Sequence, residues 1–253
     1  MKLVIFAGGL GTRMREETEF KPKPMVEIGG KPVLWHIMKM YSCQGVQEFV
    51  ILAGYKGEVI KRFFLDFEAM TQNFTRVLGD GSLTLHGESE SGWKVTVLDT
   101  GLNTPTGGRL LEAQAFIGDE PFFCSYGDGL ADINLQSLLN THQHSSSVAT
   151  LTAFKPTNRF GILSIDGQMV TEFREKPKMS DWINIGFFLF ESKIFNYLDR
   201  SEMLEGNALS KLASDGKLAA NFHDGFWEPM DTFREYESLN ELWESGNAPW
   251  KIW

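Results

Sequence analysis

Two stretches near the amino end carry the residue types needed to hold a polyphosphate. Ala7-Gly8-Gly9-Leu10-Gly11-Thr12-Arg13 directly follows an apolar run, and Lys21-Pro22-Lys23-Pro24-Met25 comes shortly after it. The glycines let backbone N–H groups crowd around an anion, and a helix start beyond such a turn adds its dipole. Arg13 brings a fixed positive charge. Lys23 stands between two prolines that stiffen its backbone and remove donors, whereas Lys21 reads as a solvated surface cation. A glycine-rich turn after a first strand also serves as a plain tight connection, so the loop alone does not decide the chemistry. The dinucleotide fingerprint is excluded: it needs a third glycine where Met14 stands, and an acidic residue where the chain has Ala53-Gly54-Tyr55-Lys56. The Gly-Lys-Ser/Thr spacing of a P-loop does not occur.

Acidic candidates lie far from these cations in sequence. Cys124-Ser125-Tyr126-Gly127-Asp128-Gly129 ends an apolar run with a carboxylate, and in open α/β sheets ligands bind beyond the carboxyl ends of the strands. One aspartate holds magnesium weakly, so a second must come from elsewhere. Asp231, in Phe226-Trp227-Glu228-Pro229-Met230-Asp231-Thr232, is the candidate. Taken by itself, its position before a helical pattern reads as an N-cap. Glu228, Asp132 and Asp224 are alternatives. His36 on an apolar helix face reads as a hydrogen-bonded core histidine, and His223 as an outer neighbour of the acidic end.

The loop Gly8 to Arg13, a spacer, and then Pro22-Lys23-Pro24-Met25 resemble the signature of the sugar-1-phosphate nucleotidyltransferase family. The resemblance implies that Ala7, Gly8, Gly9, Gly11 and Thr12 wrap a nucleoside triphosphate while Arg13 and Lys23 neutralise its phosphates. Asp128 and Asp231 match the family's Gly-Asp and late Asp-Thr pairs, which implies that they hold Mg²⁺. Arg13, Lys23 and Asp128 then form the catalytic set. Glu175-Lys176-Pro177 followed by Asn184-Ile185-Gly186-Phe187 is similar to the family's sugar-phosphate site. That likeness implies hexose hydroxyls on Glu175 and Asn184, sugar phosphate on Lys176, Tyr126 in the same set, and close backbone approach at Gly161 and Gly186.

Finer similarity, at Met25 to Pro32, at Asp99-Thr100-Gly101 with Thr104 and Gly107-Gly108-Arg109, and at Gly246 to Lys251, points to the CTP-using branch. It implies base recognition by Thr104, Gly108 and Arg109, CTP and glucose 1-phosphate as substrates, and a homohexamer. Physical reasoning leaves the base open, because cytosine shows a donor where uracil shows an acceptor; a uridylyl-transferring relative and a non-catalytic nucleotide-sugar sensor are the rivals. The sensor is disfavoured by the presence of Arg13, Lys23, Asp128 and Asp231 together. Two stretches depart from the pattern: Ile185 stands where a second glycine is expected, and Leu204 to Leu209 replaces a run usually richer in Glu and Pro.

The elements that must position these groups are legible as an α/β pattern. Strands are expected at Lys2–Ala7, Phe49–Ala53, Lys94–Asp99, Phe122–Tyr126, Val148–Phe154 and Ile183–Phe190, with a hairpin of Phe160–Ile165 and Met169–Phe173 turning at Asp166-Gly167. Helices are expected at Pro32–Tyr41, Glu58–Phe67, Gly107–Phe116, from Asn134 towards His142, and at Thr232–Ser245. The fold class is thus a Rossmann-like α/β three-layer sandwich with a mixed, mostly parallel sheet. One domain over residues 1–253 is expected, its nucleotide part at about 1–130 and its sugar part at about 131–253.

The 253 residues carry a net charge of −9, which disfavours a nucleic-acid partner, since such binders carry a basic stripe. No apolar run approaches the roughly 18 residues of a membrane span, and the first residues are too short a run for a signal segment. Cys43 and Cys124 read as buried free thiols suited to a reducing cytoplasm. Phe63, Phe64, Phe67, Trp93 and Trp182 read as exposed aromatics suited to oligomer contacts. The implied reaction needs no general base, because a phosphate monoester, with a second pKa of about 6, is already ionised near neutrality.

Overall fold

In the computed structural model, residues 1–14, 18–87, 90, 92–158 and 160–253 are described, without the side chain of Arg13. Among the described residues the central sheet has seven strands: β1 (Lys2–Ala7), β2 (Glu48–Ala53), β3 (Lys94–Asp99), β4 (Phe122–Tyr126), β5 (Ala149–Phe154), β6 (Ile183–Phe190) and β7 (Leu218–His223). Their spatial order is β7-β5-β6-β4-β1-β2-β3. Neighbours run parallel except at β6, which is antiparallel to both β5 and β4. This is the mixed, mostly parallel sheet expected, and it draws strands from both halves of the chain.

Side-chain alternation along β1 explains the three layers. Leu3, Ile5 and Ala7 face one buried cluster, and Val4 and Phe6 face the other, because successive strand residues point to opposite faces. The first cluster receives α1 (Val33–Ser42), α2 (Gly57–Leu65), α4 (Leu135–Ser145) and α6 (Phe233–Glu244) through Leu34, Ile60, Leu138 and Leu239. The second receives α3 (Thr106–Glu112) and α5 (Leu209–Ser214) through Leu110 and Leu212. Asn134 caps α4, its Oδ1 accepting the Ser137 N–H at 2.9 Å. Phe6 lies opposite Tyr126 in the register of β1 with β4, so the glycine loop and Gly127-Asp128 leave the sheet side by side.

Several expectations are corrected. The helix expected over Glu58–Phe67 ends at Leu65, and a separate short helix begins at Phe67. The one expected over Gly107–Phe116 breaks at Ala113 into Thr106–Glu112 and Gln114–Ile117. β7, the ribbon of Asn73–Arg76 with Leu83–His86, and the short pairing of Gly129–Ala131 with Trp227–Pro229 were not foreseen. Cys43 is exposed at the end of α1 and only Cys124 is buried. Phe67 is buried, Phe63, Phe64 and Trp93 are half-buried, and these four rings pack against one another. Trp182 is exposed and lies 4.6 Å from the ring of Phe222.

His36 is a core histidine, as its place on the apolar face of α1 suggests. It is fully buried and ringed by Trp35, Trp243, Trp250 and Trp253. Trp250 Nε1 can only donate, so at 3.4 Å it makes His36 Nδ1 the acceptor and leaves Nε2–H to donate to the Ile28 carbonyl at 2.8 Å. Burial pushes the His36 pKa down from 6.5 to about 4. The unfolded chain therefore binds a proton before the folded one does, and acidification below about 6.5 favours unfolding. Between about pH 7.5 and about pH 5, the stability advantage of wild type over His36→Gln should shrink by about 2 kcal/mol in urea unfolding. A constant gap would show that His36 does not govern the acid limb.

Candidate active site

Lys23, Asp128 and Asp231 meet in space. The Lys23 ammonium donates to Asp128 Oδ2 at 2.7 Å and to Asp231 Oδ1 at 2.5 Å. Lys23 opens a tight 3₁₀ turn, Lys23–Met25, entered through Pro22. Asp128 lies just past the end of β4, and its carbonyl accepts the Met230 N–H at 2.8 Å. That bond extends the pairing of Gly129–Ala131 with Trp227–Pro229 and brings Asp231 alongside. Asp231 is then fixed from the other side, because its N–H and that of Thr232 donate to Glu235 Oε2 at 2.8 and 2.9 Å. The N-cap role belongs to Thr232, which forms a reciprocal capping box with Glu235 at the start of α6.

The electrostatics follow from this packing. Burial pulls the Lys23 pKa down, but the charges of Asp128 and Asp231 and their hydrogen bonds outweigh it and hold the ammonium above its ordinary range. Two carboxylates gathered around one cation are a donor set that suits a hard divalent ion. Among the described residues no group of three or more His, Cys, Asp or Glu side chains could hold a metal. A magnesium ion here would take Asp128 and Asp231 and fill its remaining positions with phosphate oxygens and water, its usual habit.

These three side chains form one wall of a cleft of about 530 Å³. Of the residues singled out by sequence, Ala7, Gly9, Gly11, Thr12, Tyr126 and Asn184 also line it. Ile185, expected close to the sugar, lines it too, whereas sequence reasoning missed Thr106 and Trp227, whose buried Nε1 has no partner among the described residues. The side chain of Arg13 lies outside the described residues.

Other expected residues lie away from the cleft wall. The buried Arg109 guanidinium donates from Nη1 to the carbonyls of Ala53 and Gly101 and to Thr100 Oγ1, and from Nη2 to the carbonyls of Gly8 and Leu102. Its terminal nitrogens are thus engaged by three loops. Gly8 is glycine for the same reason: a Cβ there would collide with the guanidinium. Gly108 admits the Arg200 carbonyl, which a Cβ would meet at 2.5 Å, and Thr104 borders the same loop, half-buried. Gly186, at φ +82°, makes room for the Tyr126 ring, and Gly161 for Phe173 and Glu175. The close neighbours at these two glycines are side chains of the protein itself. Glu175 and Lys176 follow the hairpin of Ile162–Asp166 and Met169–Arg174, where both are exposed and 3.9 Å apart. They do not line the cleft.

Residues 2–245 match the family model described as nucleotidyl transferase. The chain belongs to that family. A protein of Bacillus subtilis named probable glucose-1-phosphate cytidylyltransferase is 46% identical over 255 residues, covering 100% of both chains. The glucose-1-phosphate cytidylyltransferase of Salmonella typhi is 46% identical over 256 residues, again covering 100% of both. Among solved structures, HddC from Yersinia pseudotuberculosis superposes with a TM-score of 0.69 at 25% identity, over 96% of this chain and 99% of that one.

The interlock of Gly8 with Arg109 can be measured. Gly8→Ala should cost about 2 kcal/mol or more in wild type, the usual scale for overpacking, and much less in an Arg109→Ala background. Additive costs in a double-mutant unfolding cycle would show that the two do not interlock.

Proposed function

We propose that this chain transfers a cytidylyl group from CTP to α-D-glucose 1-phosphate, giving CDP-glucose and pyrophosphate. The observation that carries the reading is the convergence of Lys23, Asp128 and Asp231 in a cleft bordered by the glycine loop. The choice of CTP and glucose 1-phosphate is supported by the 46% identity to cytidylyltransferases along the full chain.

In this reading a phosphate oxygen of glucose 1-phosphate attacks the α-phosphorus of CTP. A new P–O bond forms as the α–β bridge breaks, and pyrophosphate leaves with the bonding pair. No proton is abstracted, because the attacking oxygen is already ionised. The difficulty is electrostatic: two anions approach, and charge builds on the leaving group. Lys23, the N–H groups of the glycine loop and Arg13 offset that charge, which is where preorganised donors contribute most. Bound Mg²⁺, held by Asp128 and Asp231, would supply further charge neutralisation on the phosphates. Asn184 and Tyr126, which line the cleft, orient the hexose phosphate in this reading, and the roles of Glu175 and Lys176 rest on the resemblance alone.

No helix among the described residues is long and apolar enough to cross a membrane, in keeping with a cytoplasmic enzyme. The homohexamer is part of the same reading, supported by apolar side chains left exposed at Phe74, Leu78 and Leu83 on the projecting ribbon.

Pyrophosphate release measured with four nucleoside triphosphates and glucose 1-phosphate, with and without Mg²⁺, tests the proposal. CTP should be strongly preferred and chelation should abolish turnover; a clear preference for UTP would contradict it. Lys23→Ala and Asp128→Ala should each lower turnover by at least about a hundredfold, and full activity in either would remove the assigned roles.

A further inference from the structure

We propose that Glu205 is a specificity-determining residue at the hexose end of the cleft, building a corner that accepts hydrogen bonds and offers none. The inference rests on the cytidylyltransferase reading above and names a residue that sequence resemblance did not assign. Glu205 lies in the stretch from Leu204 to Leu209 that departs from the family pattern.

The local backbone delivers it. Leu204–Ala208 forms a widened π-turn before α5, and Gly206, at φ −77° and ψ −107°, leaves helical geometry altogether. Glu205, half-buried, reaches two hydroxyls that line the cleft. Its Oε1 accepts from Tyr126 Oη, and its Oε2 accepts from Thr106 Oγ1 at 2.8 Å. Thr106 Oγ1 in turn accepts the Leu204 N–H at 2.8 Å. The carboxylate, its own backbone neighbour and the two hydroxyls therefore form one closed set.

A hydroxyl has one proton to give. Both protons are committed to Glu205, so the oxygens of Tyr126 and Thr106 can face a ligand only as acceptors. An ionised carboxylate only accepts, so the Tyr126 hydroxyl is the donor in that pair. A ligand group that donates is welcomed here; one that is absent or only accepts leaves a lone pair of the Tyr126 oxygen unused, whereas the Thr106 oxygen already accepts the Leu204 N–H. Sites built to bond a hydroxyl reject analogues that lack it far more strongly than apolar sites do.

Both a hexose hydroxyl and the cytosine amino group are donors. The ring of Tyr126 packs on Gly186 of β6, close to Asn184, which lines the same cleft. β6 and β4 lie on one side of β1, opposite β2 and β3, where the Thr100–Leu102 loop begins. This placement favours the hexose.

The test uses purified full-length wild type and Glu205→Gln. Steady-state kcat and KM are measured for glucose 1-phosphate and its 2-, 3-, 4- and 6-deoxy analogues, and for CTP against UTP. Wild type should reject one deoxy analogue by at least about a hundredfold in kcat/KM. Glu205→Gln, whose amide can donate, should raise KM for glucose 1-phosphate about tenfold or more. It should leave that analogue and the CTP-to-UTP ratio nearly unchanged, so the hexose discrimination collapses. Tyr126→Phe, which removes one of the oxygens, should erode the same discrimination and serves if Glu205→Gln does not fold. An equal loss for every sugar, or a change confined to CTP against UTP, would overturn the proposal. A wild type that forms no CDP-glucose would instead overturn the cytidylyltransferase reading, whereas an active wild type with unchanged selectivity in both variants refutes Glu205 alone.

Discussion

The site depends on one charge balance: among the described side chains, the buried Lys23 ammonium lies between the half-buried carboxylates of Asp128 and Asp231. Without Lys23, Asp128 and Asp231 would face each other with like charge; without them, burial would pull the lysine's pKa down. Each part is stable because the others are present. Removing one partner of such a cluster leaves an uncompensated charge, which is where the large energetic penalty of buried ion pairs resides. The fold around it can be understood as a means of bringing three distant positions to one point. A turn bounded by prolines fixes the lysine, the carboxyl end of β4 fixes the first acid, and a three-residue strand pairing with a capping box fixes the second.

A second cation governs the loops. Arg109 ties the glycine loop to the ends of β2 and β3 through the carbonyls of Gly8, Ala53, Gly101 and Leu102. Its fork of N–H donors suits this role, since it satisfies several carbonyls at once from one rigid group. The division of labour is therefore between a lysine set among the acids and an arginine that keeps the surrounding backbone in place.

Much of this was legible in the sequence. Near-continuous apolar runs such as Lys2–Ala7 and Ile183–Phe190 announced central strands, residue type and spacing singled out the glycine loop and Lys23, and the pairing of Asp128 with Asp231 came from resemblance to the family's Gly-Asp and Asp-Thr pairs. What escaped has physical reasons. β7, Leu-Ala-Ala-Asn-Phe-His, is an edge strand with small and polar residues and carries little hydrophobic signal. The pairing of Gly129–Ala131 with Trp227–Pro229 joins segments about a hundred positions apart, and no local pattern encodes such a contact. The hydrogen bonds of Arg109 to the carbonyls of three loops carried no signal in the sequence, because the direction of a guanidinium is set by burial and by which carbonyls surround it. Glu205 carried no signal, since its meaning comes only from Tyr126 and Thr106, remote in sequence.

The charge balance itself is open to direct measurement. Titrating Mn²⁺, as a stand-in for Mg²⁺, into the nucleotide-free protein compares wild type with Lys23→Met by calorimetry. If the ammonium is what neutralises Asp128 and Asp231, Lys23→Met should bind the ion at least about tenfold more tightly, equivalent to about 1.4 kcal/mol. Equal or weaker binding in Lys23→Met would contradict the account.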